Sequence, residues 1–93
     1  MVVQVYIPTP FRRFTANREQ VSVEGETVRA VLDALDRAYP GFDHLVYDRE
    51  RRVPSHINIY VNDRTIDELA GVETELHDGD RLAVIPALAG GER

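Results

Sequence analysis

Residues 78–91 read DGDRLAVIPALAGG, and the architecture unfolds outward from this stretch. Asp78-Gly79-Asp80 is a turn signal. Arg81 to Ala87 follows as a strand with apolar residues on both faces: Leu82, Ala83, Val84 and Ile85. A strand of that kind is expected in the middle of a sheet, buried from two sides. Upstream, His56 to Asn62 alternates cleanly, with Ile57, Ile59 and Val61 on one face and Asn58, Tyr60 and Asn62 on the other. Asn62-Asp63 predicts a turn into a short return strand around Thr65-Ile66.

The N-terminal half supplies the partners. Met1 to Ile7 is rich in β-formers and stops at Pro8-Thr9-Pro10, where two prolines end ladder pairing. Gln20 to Val23 alternates, so a second strand is expected after a loop carrying Phe11, Arg12, Arg13 and Phe14. Thr27 to Tyr39 predicts the main helix, because Val28, Val31, Leu32, Leu35 and Ala38 form one apolar stripe. Thr27 suits the N-cap, although Ala30 gives no capping box, and Pro40-Gly41 ends the helix. Phe42, Leu45, Val46 and Tyr47 are expected to close one end of the core, ahead of an exposed, highly charged loop over Asp48 to Val53.

One helix and four to five strands are most economically arranged with the apolar stripe across one face of a mixed sheet. The first and last strands then lie central and parallel. This is the α+β arrangement of the β-grasp, or ubiquitin-like, fold. Residues 1–87 form the β-grasp domain, and residues 88–93 a C-terminal tail.

Composition narrows the function. Ninety-three residues permit one domain. The absence of cysteine excludes disulfides, thiolate metal sites and a thiol nucleophile. Eleven basic residues against 16 acidic ones leave a net charge of −5, which disfavours nucleic-acid binding. All eleven are arginine, so Schiff-base chemistry on lysine drops out. The start of the chain reads as a strand and not as a signal peptide. The longest apolar run, Leu82 to Ala89, is less than half the ~20 residues of a membrane span. A cytoplasmic location is the expectation.

The segment Asn58-Ile59-Tyr60-Val61-Asn62, the turn Asp78-Gly79-Asp80 and the ending Ile85-Pro86-Ala87-Leu88-Ala89-Gly90-Gly91 resemble the sulfur-carrier (MoaD/ThiS) family. Ile7-Pro8-Thr9 and the helix fit the same pattern, and the cysteine-biosynthesis branch is the nearest. The resemblance implies a protein co-substrate and not an enzyme. An E1-like adenylating enzyme (MoeB/ThiF type) would use ATP to turn the Gly91 carboxylate into an acyl adenylate. A sulfur nucleophile would then displace AMP to leave a thiocarboxylate. Leu88, Ala89 and Gly90 would thread the tail into enclosed sites, with no cofactor bound to the carrier. The sulfur would pass to an accepting enzyme such as a cysteine synthase, with O-phosphoserine the favoured acceptor.

One departure from the family pattern stands out. Glu92-Arg93 follow Gly91, so its carbonyl is an amide. A JAMM-type zinc peptidase would have to cut between Gly91 and Glu92 before activation. The alternatives are a ubiquitin-like modifier conjugated through Gly91, and the small subunit of molybdopterin synthase. A simple carrier would be a free monomer between encounters.

Other features have bland explanations beside functional ones. His44, His56 and His77 lack metal-ligand spacing, and Asp78-Gly79-Asp80 lacks the rest of a calcium loop. Arg12, Arg13 and Arg18 are either solvated or meet an acidic partner. Phe11, Phe14 and Leu88 are candidate exposed contacts, with core packing the alternative for both phenylalanines. Seven acids between Asp63 and Asp80, Asp78 and Asp80 included, either confer solubility or steer the chain onto a basic adenylating enzyme.

Overall fold

The structure, a computed structural model, describes residues 2–86. Five strands form one sheet: β1 (Val2–Tyr6), β2 (Gln20–Glu24), β3 (Ile57–Val61), β4 (Arg64–Thr65) and β5 (Arg81–Pro86). Their order is β2-β1-β5-β3-β4. Only β1 and β5 are parallel, with Val5 opposite Leu82 and Tyr6 opposite Ala83. The other pairs are antiparallel. Helix α1 (Val28–Ala38) joins β2 to the far half of the sheet, and a short helix α2 (Asp43–Val46) follows it. This is the β-grasp topology expected from the element order.

Alternation along each strand builds the core. Val3, Val5, Ile7, Ile57, Ile59, Val61, Leu82 and Val84 turn inward and are buried. Val28, Val31, Leu32 and Leu35 of α1 pack on them, with no exposed surface. The Thr27 hydroxyl accepts from the Ala30 amide at 3.1 Å, the expected N-cap. Ala38, counted in the apolar stripe, is instead exposed. It is the last helical residue, and the half-buried Tyr39 beyond it makes the core contact. The exit at Gly41 is left-handed, with φ of +104°.

Two further expectations are corrected. β5 is central, as predicted, but is buried on one face only. Ala83 and Ile85 are half-buried, because no element among the described residues covers their face of the sheet. The expected loop over Phe11–Phe14 is a 3-10 helix (Thr9–Phe14). Pro10 presets its backbone, and the Phe11 amide donates to the Pro8 carbonyl at 2.9 Å.

The turn before β5 ties three strands together. Asp78 Oδ1 accepts from the Val2 amide at 2.9 Å, at the head of β1. Asp80 accepts from the His77 amide at 2.8 Å and from Asn62 Nδ2 at 3.2 Å. Asn62 Oδ1 accepts from the Arg81 amide at 3.1 Å, completing a corner between β3 and β5. The His77 amide is the main reason that the Asp80 carboxyl lies below its usual pKa; bonds from Asn62 and the nearby His77 ring add to it against partial burial.

Gly25 sits where no side chain fits. A Cβ there would stand 2.7 Å from Val31 Cγ2 and 2.9 Å from the Val31 backbone nitrogen. Gly25→Ala is therefore expected to cost about 1–3 kcal/mol, read as a lower urea midpoint with an unchanged slope. Asp80→Ala should cost about 1–2 kcal/mol at neutral pH, since two donors lose a charged acceptor. A depressed native pKa stabilises the fold above the unfolded value. Wild-type stability from this group is thus lost as pH falls from about 4 through the native pKa. The gap between wild type and Asp80→Ala should close over the same range in urea titrations; a gap constant with pH would contradict the role.

Candidate functional site

Parallel pairing of β1 and β5 decides which end of the sheet holds Pro86. Pro86, the last described residue, pairs with Ile57 at the start of β3. The same end of the sheet carries the end of β1, the 3-10 helix after it and the start of β2. Pro86 is therefore flanked by residues 7–20 on one side and by residues 54–57 on the other. Leu88, Ala89, Gly90, Gly91 and Glu92, the tail and processing residues of the sequence analysis, lie outside the described residues.

Residues 8–19 form a braced shoulder beside Pro86. The Ile7 amide donates to the Glu19 carbonyl at 2.8 Å, closing the loop at its base. Arg12 Nε donates to the Ile7 carbonyl at 3.0 Å, and its guanidinium approaches Glu19 at 3.5 Å. Thr15 is fully buried, with its hydroxyl 3.3 Å from the Arg12 carbonyl and 3.1 Å from the Arg18 carbonyl. Ala16 and Asn17 both take left-handed conformations to make the turn, with φ of 55° and 64°. This backbone is held by its own hydrogen bonds.

The candidate contact residues separate on this frame. Phe11 is a core residue, packed edge-to-face on Phe42 with centroids 6.4 Å apart, so the packing alternative holds for it. Phe14 is half-buried, beside Gly41. Arg12 braces the shoulder and is only partly exposed. Arg13 is exposed and rests on the Phe14 ring, 5.1 Å from its centroid. Asp78 and Asp80 lie at the opposite end of the sheet, engaged in the turn before β5. Pro86 ends the six-residue strand β5 that begins just after them, about 17 Å from its first residue to its last. One surface of moderate size cannot centre on both the acidic turn and Pro86.

Sequence reasoning passed over the uncovered face of the sheet. Gln4 and Tyr6 of β1, Asn58 and Tyr60 of β3, and Ala83 and Ile85 of β5 share it by register. Val2 and Tyr6 of β1 are each 40% exposed. A shallow depression of about 250 Å³ lies there, lined by Gln4, Tyr6, Gln20, Arg81 and Ala83. The alternation of β1 contained this signal, because Tyr6 falls on the face opposite Val3 and Val5. Among the described residues, no helix is long and apolar enough to cross a membrane.

Comparison with known proteins agrees with this geometry. The chain matches the ThiS family over residues 5–91. It is 38% identical over 93 residues to the sulfur carrier protein CysO of Mycobacterium tuberculosis, covering 98% of this chain and all of that one. It is 41% identical over 66 residues to small archaeal modifier protein 3 of Haloferax volcanii, 70% of each chain. The crystal structure of the Amycolatopsis orientalis BexX/CysO complex contains a similar chain, with a TM-score of 0.90 and 36% identity; the match covers 96% of this chain and 99% of that one. Fold, strand order and extended sequence similarity lead to one assignment: the protein is a member of the ThiS family of ubiquitin-like β-grasp proteins.

Proposed function

We propose that this protein is a sulfur carrier of the CysO type, working through its Gly91 carboxylate as a co-substrate of other enzymes. The observation that carries the reading is similarity to CysO along the whole chain, joined to a family match that runs through Gly91. In this reading a peptidase of the JAMM zinc type first hydrolyses the Gly91–Glu92 amide. An E1-like adenylating enzyme then joins the freed carboxylate to AMP and releases pyrophosphate. A sulfur donor displaces AMP, leaving a thiocarboxylate for an acceptor enzyme, with O-phosphoserine-dependent cysteine synthesis the favoured destination.

The chain's own contribution is presentation. Gly90 and Gly91 have no Cβ, so the reacting end suits a narrow channel. The braced shoulder and the uncovered sheet face offer the recognition surface behind it. Chemistry then belongs to the partners, consistent with relatives named as carriers.

A second reading is a protein modifier joined through Gly91 to lysines of other proteins, favoured by the similarity to small archaeal modifier protein 3. The absence of lysine bears on it, since this chain offers no side-chain amine for polymer formation.

Incubating a chain ending at Gly91 with an E1-like adenylating enzyme, ATP and a sulfide source should yield the acyl adenylate and then the thiocarboxylate, both read by intact-mass spectrometry. The 93-residue chain should yield neither until Glu92-Arg93 are removed. Formation of either product with Glu92-Arg93 in place would refute the processing step. Lysine adducts in place of a thiocarboxylate would favour the modifier.

A further inference from the structure

Charge is unevenly divided along the length of the sheet. The end where β5 begins gathers Glu24, Glu26, Asp63, Glu73, Glu75, Asp78 and Asp80 through strand pairing and turn contacts. Three arginines share that end, and two of them are engaged: Arg29 with Glu73 at 2.8 Å and Arg64 with Glu68 at 3.6 Å. The shoulder beside Pro86 is the reverse. Residues 8–19 hold Arg12, Arg13 and Arg18 against a single acid, Glu19, which Arg12 already engages. Arg13 and Arg18 are exposed and carry no ion pair among the described residues. Acids thus concentrate at the end where β5 begins, while the shoulder segment beside Pro86 is itself basic.

We infer that Arg13 and Arg18 form the docking rim of the tail, and that the proteins receiving the tail carry carboxylates around the mouth of the receiving cleft. This rests on the carrier reading above. An acidic molecule approaching a basic surface would present its carboxylate-rich end, turning the tail away. A negative mouth that meets the shoulder arginines while the far-end acids point away favours this orientation at close range. The rim is also preorganised. Arg13 lies on the Phe14 ring, and the Arg18 amide and carbonyl are both bonded to Thr15, at 3.0 and 3.1 Å. The Arg13 fork is held on its ring and the Arg18 fork is carried on a fixed backbone, and both suit paired hydrogen bonds to carboxylates. The acidic stretch between Asp63 and Asp80, one of whose readings was steering onto a basic enzyme, then faces away from the partner.

The test measures stopped-flow association between chains ending at Gly91 and an E1-like adenylating enzyme. Arg13→Glu combined with Arg18→Glu should slow association about 10-fold or more at low salt, the gap narrowing as salt rises. Arg13→Ala with Arg18→Ala should fall between that variant and wild type. Glu24→Gln with Glu75→Gln, at the far end, should associate within about twofold of wild type or faster. Thermal unfolding of each variant checks that the shoulder is intact. Wild-type association by both arginine variants, or equal slowing by the far-end variant, would overturn the rim. Adenylate yield at saturating carrier reads the carrier function separately: failure there with wild type counts against the function, while the rate pattern counts for or against the rim.

Discussion

Because β1 and β5 lie side by side and run the same way, the chain must leave the middle of the sheet after its first strand and return there with its last. Val5 faces Leu82 and Tyr6 faces Ala83 in that pairing. A parallel pair cannot be closed by a tight turn, so the intervening chain supplies two hairpin partners and a crossover helix. The helix can cover only one face. The same pairing brings residue 86 out beside the end of β1, flanked by a shoulder whose bonds are internal. Fold, exit point and charge asymmetry thus follow from one register.

The placement of elements was legible in the chain because each strand and the helix carry their own period. Ile57, Ile59 and Val61 alternate, and Val28, Val31, Leu32 and Leu35 recur at helical spacing; all seven are buried. Less was legible where a residue's environment depends on distant parts of the chain. The run from Leu82 to Ile85 suggested burial on both sides, yet the one main helix leaves no second layer over Ala83 and Ile85 among the described residues. Phe11 could be assigned to the core only once Phe42, thirty-one positions later, was known to stand beside it. Asp78, Asp80 and Arg12 looked like surface charge. Their hydrogen bonds to Val2, His77 and Ile7 are products of the fold, and local sequence does not announce them.

The functional site divides in a similar way. The glycine end proposed for it could be picked out directly, because two Cβ-free residues after a central strand are chemically distinctive. The surface behind it could not. Arg13 and Arg18 become a unit only when the left-handed turn at Ala16 and Asn17 folds the segment back on Thr15. Tyr6 joins the open face of the sheet only through its neighbours Ala83 and Gln20. In the carrier reading this arrangement keeps the two tasks apart: the reacting group is at the end of the chain, and discrimination among partners belongs to the rigid body.

The corner where Asp78 holds the head of β1 also has a practical consequence. Val2 is anchored there, at the pole of the sheet farthest from Pro86. A fluorophore, affinity handle or immobilising linker attached upstream of Val2 would start from the pole opposite Pro86, leaving the end proposed to react unobstructed for reconstitution.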